Sequence, residues 1–271
     1  VLLPLGNVLF TALTFKTLTD RYGRVPLWEM TLLMLSAGLL NYLPMRPGLV
    51  GRVAYHRTFL GIRAKDSAKV VVRAMGASAI SLAAMIGMAW LVGVAVPEFA
   101  ADVWRIGFSL LGPAAMVTCG SFVLRLRPDQ HRWRWVTATG WRWADMLIWA
   151  ARYWVVFQLV GEPINWTQAT LAALVSQMAL AIPFVGNGLG LREWAVGAFA
   201  GQQAAMGAAE ASGATADLTQ SAAAGLTADL INRAAELIVL VPLGGLAGLL
   251  LAKRTSQPVS LTPEPPRSSA S

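Results

Sequence analysis

Long apolar stretches alternate with short polar segments along this chain, and the pattern predicts a bundle of membrane helices. Residues 74–97 and 106–124 contain no Asp, Glu, Lys or Arg. Each stretch exceeds the roughly 18 apolar residues that indicate a membrane-spanning helix. The predicted fold class is therefore all-α, a polytopic transmembrane helix bundle. The apolar segments expected to be helical are 1–15, 27–43, 53–62 (amphipathic), 70–96, 106–124, 143–161, 168–183, 194–206 and 230–251.

Two of these segments stop at a proline, cross a glycine-rich break and reach an arginine. The breaks lie at 41–52 and 182–193. Proline lacks a backbone donor and disfavours helical geometry in the residue before it, so a helix should end at each break. Broken backbone at membrane depth is tolerated only where protein or water covers it. With one inserted residue allowed, the matching helix-break positions are Pro44 with Pro183, Gly48 with Gly188, and Arg52 with Arg192.

Basic residues are concentrated in a few polar segments, and this predicts the orientation of the chain. Arg46 to Arg73 contains seven Lys or Arg and one acid, and Arg125 to Arg142 contains five Arg and one Asp. Because basic loops stay cytoplasmic, we expect a multi-pass protein of a bacterial-type inner (plasma) membrane with its C-terminal tail inside. The segments predicted inside are 16–24, 46–69, 125–142 and 253–254, and those predicted outside are 97–105, 161–167 and 207–229.

This orientation constrains the apolar segments on either side of each break. The first pair begins and ends on the cytoplasmic side, and the second pair begins and ends outside. Two re-entrant hairpins of opposite orientation resolve this, and they are typical of an inverted repeat with a site near the midplane. Chance similarity of the two breaks is the alternative. The predicted halves are about 1–95 and 143–252 of a single transmembrane domain, 1–254, and the Pro/Ser-rich tail 255–271 is predicted to be disordered.

Composition supports the membrane prediction and argues against a nucleic-acid partner. Hydrophobic residues make up 56% of the 271 residues and charged residues 13%, about half the charged fraction of a soluble domain. The net charge of +8 is explained by the inside loops. Six tryptophans near the second basic segment predict an interfacial belt on anionic lipids. They are Trp133, Trp135, Trp141, Trp143, Trp149 and Trp154.

Few side chains are suited to catalysis or metal binding. Cys119 is the single cysteine, so no internal disulfide can form, and no Cys/His ligand spacing exists. His56 and His131 lie in basic segments and are predicted to be solvated or at headgroup depth. The sequence has no Gly-x-Ser-x-Gly nucleophile motif. We therefore predict that the chain is not an enzyme and uses neither a metal nor a cofactor.

The two breaks resemble motifs of the lysylphosphatidylglycerol synthase transmembrane region, a flippase-like integral membrane protein family. The first family motif is Leu-Pro, a basic or polar residue, Gly and then Arg, which corresponds here to Leu43 through Arg52. The second is Pro, a Gly-rich stretch and Glu, which corresponds to Pro183 through Glu193. The resemblance implies a domain that moves or presents lipids.

An arginine in the helix after each motif also fits, at Arg73 and Arg233, and the resemblance covers roughly 27–252. Two features depart from the family pattern in the first half. The acid that often stands beside the last glycine is replaced by apolar residues at 49–50, and the usual acidic-Arg pair is Val72-Arg73. Family members sometimes carry a soluble aminoacyl-transferase domain, and without one we do not expect lipid aminoacylation by this chain alone.

Four arginines are the predicted ligands of a lipid headgroup. The planar guanidinium fork suits phosphate, and the free N–H groups at the start of a half-helix add a positive end. The alternative is that these arginines satisfy carbonyl groups of broken helices or only keep their loops inside. The candidates are Arg46, Arg52, Arg192 and Arg233.

Acidic residues in the second half predict a charge cluster at membrane depth. Asp229, Arg233 and Glu236 have i, i+4, i+7 spacing and so share one helix face. Asp145 and Arg152, two turns apart, are candidate partners for Arg233 or Glu236. A charge at this depth usually faces a partner or a cavity, so the cluster is either a structural lock or a relay. The candidate proton or charge-relay residues are Glu193, Glu236 and Asp229.

These patterns together predict an integral membrane protein that binds and translocates (flips) an anionic phospholipid or a lipid-linked phosphate. The alternative is a non-transporting membrane partner of a lipid-modifying or glycan-building enzyme, such as a glycosyltransferase. Membrane lipids are the predicted ligands, and no nucleic acid is expected. The sequence specifies neither the lipid, the direction and energy source of transport, nor the oligomeric state.

Overall fold

The structure, a computed structural model, describes residues 2–45, 47–95, 101–127, 130–181, 188–210 and 218–255. Within these ranges the chain forms α-helices and no β-strand. The predicted all-α class is therefore confirmed. The helices are α1 (Leu2–Thr19), α2 (Leu27–Leu40), α3 (Pro47–Phe59), α4 (Ala64–Ala95), α5 (Ala101–Leu126), α6 (His131–Val160), α7 (Trp166–Ala181), α8 (Leu191–Glu210) and α9 (Leu218–Thr255).

Four helices in the described ranges are long and apolar enough to cross a bilayer, so the chain is a membrane protein by length and composition. Their outer faces expose large apolar side chains, for example Leu111 and Phe122 on α5. Contiguous apolar surface of this kind is rare on soluble monomers and is expected where lipid is the solvent. The four candidate spans are Leu2–Thr19, Ala64–Met88, Ser109–Leu126 and Leu218–Arg254.

The bundle is organised around α6, which contacts α1, α4, α5, α7 and α9. This helix begins at His131, inside the second basic segment and well before the predicted span 143–161. Trp143 and Trp149 are 5% and 6% exposed and belong to the core. The prediction of an interfacial belt is wrong for these two, because neighbouring helices cover α6 on most sides. Of the other four, Trp154 is exposed, and Trp133, Trp135 and Trp141 are half-buried.

The first break is a tight helical hairpin between α2 and α3. Pro44 lies in the exposed turn, and α2 ends at Leu40, three residues before the end predicted at 43. Met45, the next residue, has φ 62°, a left-handed conformation that few non-glycine residues adopt. Arg46 lies outside the described residues.

Gly48 allows α3 to fold back directly onto α2. A Cβ added at this position would collide with the carbonyl oxygen of Ala37 and would lie 2.6 Å from Oδ1 of Asn41. Backbone atoms cannot move aside as a flexible side chain can, so the close approach requires glycine here. The predicted break position therefore has a packing role.

The second break precedes α8. Pro183 lies outside the described residues, whereas Gly188 and Gly190 have φ 68° and φ 81°, which favour glycine. The chain then enters α8, which packs closely on α9. A Cβ added at Gly225 of α9 would lie 2.8 Å from the carbonyl oxygen of Val196 on α8. Small residues therefore permit this contact, as they do between membrane helices in general.

The outer loop predicted at 207–229 is helical where the structure describes it, at 207–210 and 218–229. Because α8 continues to Glu210 and α9 begins at Leu218, Asp229 lies within α9 and is fully buried. The alanine-rich composition of the segment favours helix. The 38 residues of α9 correspond to about 57 Å, more than the roughly 30 Å hydrocarbon core of a bilayer.

Candidate functional site

A buried ion pair joins the start of α8 to α9. Nε of Arg192 donates to Oδ2 of Asp229 at 2.9 Å, and both side chains are fully buried. The hydroxyl group of Tyr153, on α6, donates to Oδ1 of the same carboxylate. Both oxygens of Asp229 therefore have a donor, and the two donors come from different helices.

Glu236 lies between two arginines on different helices. Its Oε2 is 3.5 Å from one terminal nitrogen of Arg152 on α6 and 3.5 Å from one of Arg192 on α8. Both guanidinium groups lie over the ring of Trp149, at 4.1 Å for Arg152 and 5.5 Å for Arg192 from Cζ to the ring centroid. The pair of Arg152 with Glu236 is one that the sequence predicted.

Further hydrogen bonds fix the orientation of Arg152. Its Nε donates to Oδ1 of Asn232 at 2.7 Å, and a terminal nitrogen donates to the carbonyl oxygen of the same residue at 3.1 Å. The other terminal nitrogen donates to Oδ1 of Asn7, on α1, at 2.9 Å. The planar fork of Arg152 therefore connects α6 to both α1 and α9.

The network continues from α1 back to α6. Nδ2 of Asn7 donates to Oδ1 of Asp145 at 2.8 Å, and Arg142 donates to the other carboxylate oxygen. Arg142 also donates to Ser78 on α4 at 2.8 Å and to Gln177 on α7 at 3.1 Å. Asp145 therefore pairs with the arginine one turn away on its own helix. The prediction that it pairs with a charge on α9 is wrong.

A second ion pair joins α8 to α9. A terminal nitrogen of Arg233 lies 2.9 Å from Oε1 of Glu193, and both residues are buried. Glu193 follows Arg192 in sequence, so the first turn of α8 presents a cation and an anion to two different residues of α9. Asp229 and Arg233, which are four residues apart on one face of α9, therefore both face the first turn of α8.

The network contains as many carboxylates as guanidinium groups, and their formal charges cancel. Buried charges are tolerated when they are paired and hydrogen-bonded. The pairs are Arg142 with Asp145, Arg152 with Glu236, Arg192 with Asp229, and Arg233 with Glu193.

Arg192 nevertheless keeps unused donors. Its two terminal nitrogens make no hydrogen bond with the described part of the chain, although the side chain is fully buried. Buried donors without an acceptor are costly and rare. Arg192 is also the second residue of α8, where the first N–H groups lack an acceptor within the helix and the dipole is positive. A planar fork at a positive helix end suits an oxyanion.

Arg52 lies in a separate cluster. Its guanidinium group lies 3.8 Å from the ring centroid of Phe15 on α1, and a terminal nitrogen lies 3.7 Å from Sδ of Met34 on α2. The structure therefore brings only part of the predicted headgroup set together. Arg192 and Arg233 belong to the network, Arg52 does not, and Arg46 is outside the described residues.

The two histidines have different surroundings. His56 is 1% exposed, and its Nδ1 lies 2.9 Å from Oγ of Ser67. The prediction of a solvated or headgroup-level side chain is wrong here, because the end of α3 packs against the start of α4. His131 is half-buried at the start of α6, outside the predicted spans. Burial lowers its pKa, and so do three nearby cations, Arg73, Arg21 and Arg134.

Sequence reasoning missed the neutral members of the network and Arg142. Asn232 lies three residues after Asp229 and four before Glu236, so the spacing that identified the charges also indicates it. Asn7 is a polar amide within the apolar segment 1–15, and a polar side chain in such a segment indicates a buried hydrogen-bond partner. Arg142 was assigned to a basic loop because helix α6 was expected to begin after it.

The described residues contain no group of His, Cys, Asp and Glu suited to holding a metal ion. Comparison with protein-family models, curated proteins and solved structures gives no match. The account of the site therefore rests on its geometry.

Proposed function

We propose that this membrane protein binds the headgroup of an anionic phospholipid or lipid-linked phosphate and translocates the lipid across a bacterial-type inner membrane. The observation that carries the proposal is the position of Arg192. It is a fully buried guanidinium at the start of α8, with two terminal nitrogens that lack a hydrogen-bond partner in the described chain. A phosphate oxyanion supplies the acceptors that these nitrogens need. We assign the chain no chemical step.

The re-entrant hairpins and the inverted repeat are part of this proposal. Helices α2 and α3 have 14 and 13 residues, which corresponds to about 21 and 20 Å. Both lengths are shorter than the roughly 30 Å needed to cross the hydrocarbon core. Helix α7, with 16 residues, is about 24 Å long. These three short helices next to two Pro/Gly breaks support hairpins that enter from opposite sides and return, with α8, at 20 residues, as the longer arm of the second hairpin.

The other predicted arginines take supporting roles. Arg233 joins α8 to α9 through Glu193 and so holds the start of α8 in place. Arg52 joins α3 to α1 and α2 through its contacts with Phe15 and Met34. The family resemblance to the lysylphosphatidylglycerol synthase transmembrane region agrees with lipid handling and remains part of the proposal.

A specific observation favours the second candidate, a non-transporting membrane partner of a lipid-modifying or glycan-building enzyme. Every arginine of the network has a carboxylate partner. A balanced network of this kind locks helices together without any ligand. In that case the bundle is a rigid membrane partner to which an enzyme binds. The missing hydrogen bonds of the two terminal nitrogens of Arg192 are then an energetic cost that the rest of the network offsets.

Transport of a labelled lipid tests the proposal. Proteoliposomes with headgroup-labelled phosphatidylglycerol are expected to show translocation with the wild-type protein and little with the Arg52→Ala/Arg192→Ala double variant. The matched control, Arg57→Ala/Arg63→Ala, removes two exposed arginines and is expected to retain transport.

Unchanged transport by the Arg52→Ala/Arg192→Ala protein rejects the assignment of the site. No transport by the wild-type protein, together with copurification of a stable enzyme complex, favours the second candidate.

A further inference from the structure

The carboxylate of Glu236 lies between the guanidinium groups of Arg152 and Arg192. Oε2 of Glu236 is 3.5 Å from each of the two guanidinium groups. Both guanidinium groups also lie over the ring of Trp149. Glu236 therefore occupies the position from which an oxyanion contacts both arginines.

Of the two acids in this part of the network, Glu236 is held more loosely. Asp229 is fully buried and accepts from Tyr153 and, at 2.9 Å, from Arg192. The contacts of Glu236 are 3.5 Å, longer than the roughly 2.7–2.9 Å of a charge-assisted hydrogen bond. Its side chain is 14% exposed. Glu236 is therefore the acid of the two that an incoming anion can more readily replace at the arginines.

The balance of charge requires a compensating change when an anion enters. Arg152 and Arg192 together carry two positive charges, and Asp229 and Glu236 carry two negative charges. A monoanionic phosphodiester adds one more negative charge to a buried, neutral group, which is strongly unfavourable without compensation. Protonation of Glu236 restores neutrality and leaves both guanidinium groups for the phosphodiester.

We infer that an anionic phosphodiester and the Glu236 carboxylate compete for Arg152 and Arg192, so that each phosphodiester bound is accompanied by uptake of one proton on Glu236. This rests on the proposed function, and it adds Arg152 as a second anion ligand and Glu236 as the proton acceptor. Coupling of this kind links the free energy of headgroup binding to the proton concentration on the accessible side.

The charged surroundings of Glu236 are consistent with this exchange. Arg192 on α8 and Arg152 on α6 face it directly, and Asp145 of α6 is close enough to interact with it electrostatically. Tyr42, which follows α2, interacts electrostatically with Arg152. On α1, the neutral Asn7 accepts a hydrogen bond from Arg152. The adjacent acids disfavour a further negative charge here.

Calorimetry with a soluble phosphodiester separates this inference from the proposed function. Dihexanoylphosphatidylglycerol keeps one negative charge between pH 5 and 8, so any proton taken up on binding is bound by the protein. Titration of the full chain in detergent, in two buffers of different ionisation enthalpy, measures both the affinity and the number of protons. The variants are Glu236→Gln, Glu236→Asp and the control Glu162→Gln, which removes an acid outside the network.

For the wild type and the Glu162→Gln control we expect uptake of up to one proton per probe. We also expect an affinity that falls by as much as about tenfold per pH unit where Glu236 is ionised. Glu236→Gln is expected to bind the probe without proton uptake. Its affinity should be nearly independent of pH and, at pH 8, at least about tenfold higher than the affinity of the wild-type protein. Glu236→Asp retains an acid and is expected to retain uptake, and size-exclusion profiles verify that each variant is folded.

The outcomes distinguish the two claims. Wild-type binding without proton uptake, or uptake that persists in Glu236→Gln, overturns the inference and leaves the anion site standing. Failure of both the wild type and Glu236→Gln to bind the probe overturns the inference and the proposed headgroup site together.

Discussion

Nε of Arg192 donates to Oδ2 of Asp229 at 2.9 Å, and the two side chains form a fully buried ion pair between α8 and α9. This bond uses one edge of the guanidinium and leaves both terminal nitrogens without a hydrogen bond in the described chain. The same contact therefore stabilises the bundle and orients the donors that we assign to a lipid phosphate.

Removal of Asp229 should strongly destabilise the protein. The Asp229→Ala change removes the closer counter-ion of the buried Arg192 and leaves only Glu236, at 3.5 Å. Breaking a buried pair costs about 3–5 kcal/mol. Denaturant unfolding in detergent micelles measures the change in the free energy of unfolding. The control is Asp20→Ala, which breaks the partly exposed pair with Lys16 and should cost at most about 1 kcal/mol. Equal effects of the two changes would contradict the buried pair.

Substitution of Gly48 should open the first hairpin. In Gly48→Ala the new Cβ meets the carbonyl oxygen of Ala37, and overpacking of this kind costs about 1–3 kcal/mol. Gly51 lies in the same helix with no atom within 4 Å of an added Cβ. Gly51→Ala should therefore stabilise the protein by about 0.5–1 kcal/mol. Thermal unfolding of the two variants provides the test, and a shift in the same direction for both argues against the close contact of α2 with α3.

Trp149 should contribute more than an ordinary core side chain because two arginines lie over its ring. A desolvated cation–π contact contributes about 2 kcal/mol or more, so Trp149→Leu should lower the free energy of unfolding by at least about 2 kcal/mol. The matched change on the same helix is Trp154→Leu. That side chain is 43% exposed, and its loss should change stability by only about 0.5 kcal/mol. Comparable losses at the two positions would remove the support for the arginine stack.

The sequence predicts the α-helical class and the first helix break well, because both depend on local chemistry. Pro44 prevents the helix from continuing through the break, and α2 ends four residues before it, at Leu40. The spacing of Asp229, Arg233 and Glu236 indicates a common face for the same local reason.

Pairing between helices was not accessible from the sequence, because spacing does not specify which faces meet. Arg142 looked like a loop residue, yet it contacts α4 and α7. The tryptophans looked interfacial, yet Trp149 lies beneath two buried arginines. Both predictions failed because the start of α6 depends on tertiary packing and not on the charges in its first turns.

Cys119 offers a test of membrane placement without any mutation. It lies exposed on α5 within the candidate span Ser109–Leu126, where lipid should exclude charged reagents. A charged thiosulfonate reagent should leave Cys119 unmodified in intact bilayers and modify it after denaturation. The control protein carries Cys119→Ser together with Arg63→Cys, at a position that is 72% exposed before α4, and should react at once. Equal rates of modification in bilayers argue against α5 as a span.

Direct contact between Arg192 and a lipid phosphate is the central claim, and nitrogen–phosphorus dipolar NMR tests it most directly. The protein is labelled with 15N in arginine and frozen in a phosphorus-free detergent with one equivalent of dihexanoylphosphatidylglycerol. We expect phosphorus dephasing of the terminal arginine nitrogens that decreases in Arg192→Lys, where Arg152 alone can still contact the phosphate, and that is unchanged in Arg63→Lys. Dephasing that is the same in the wild type and in Arg192→Lys, or absent from the wild type, would contradict the claim.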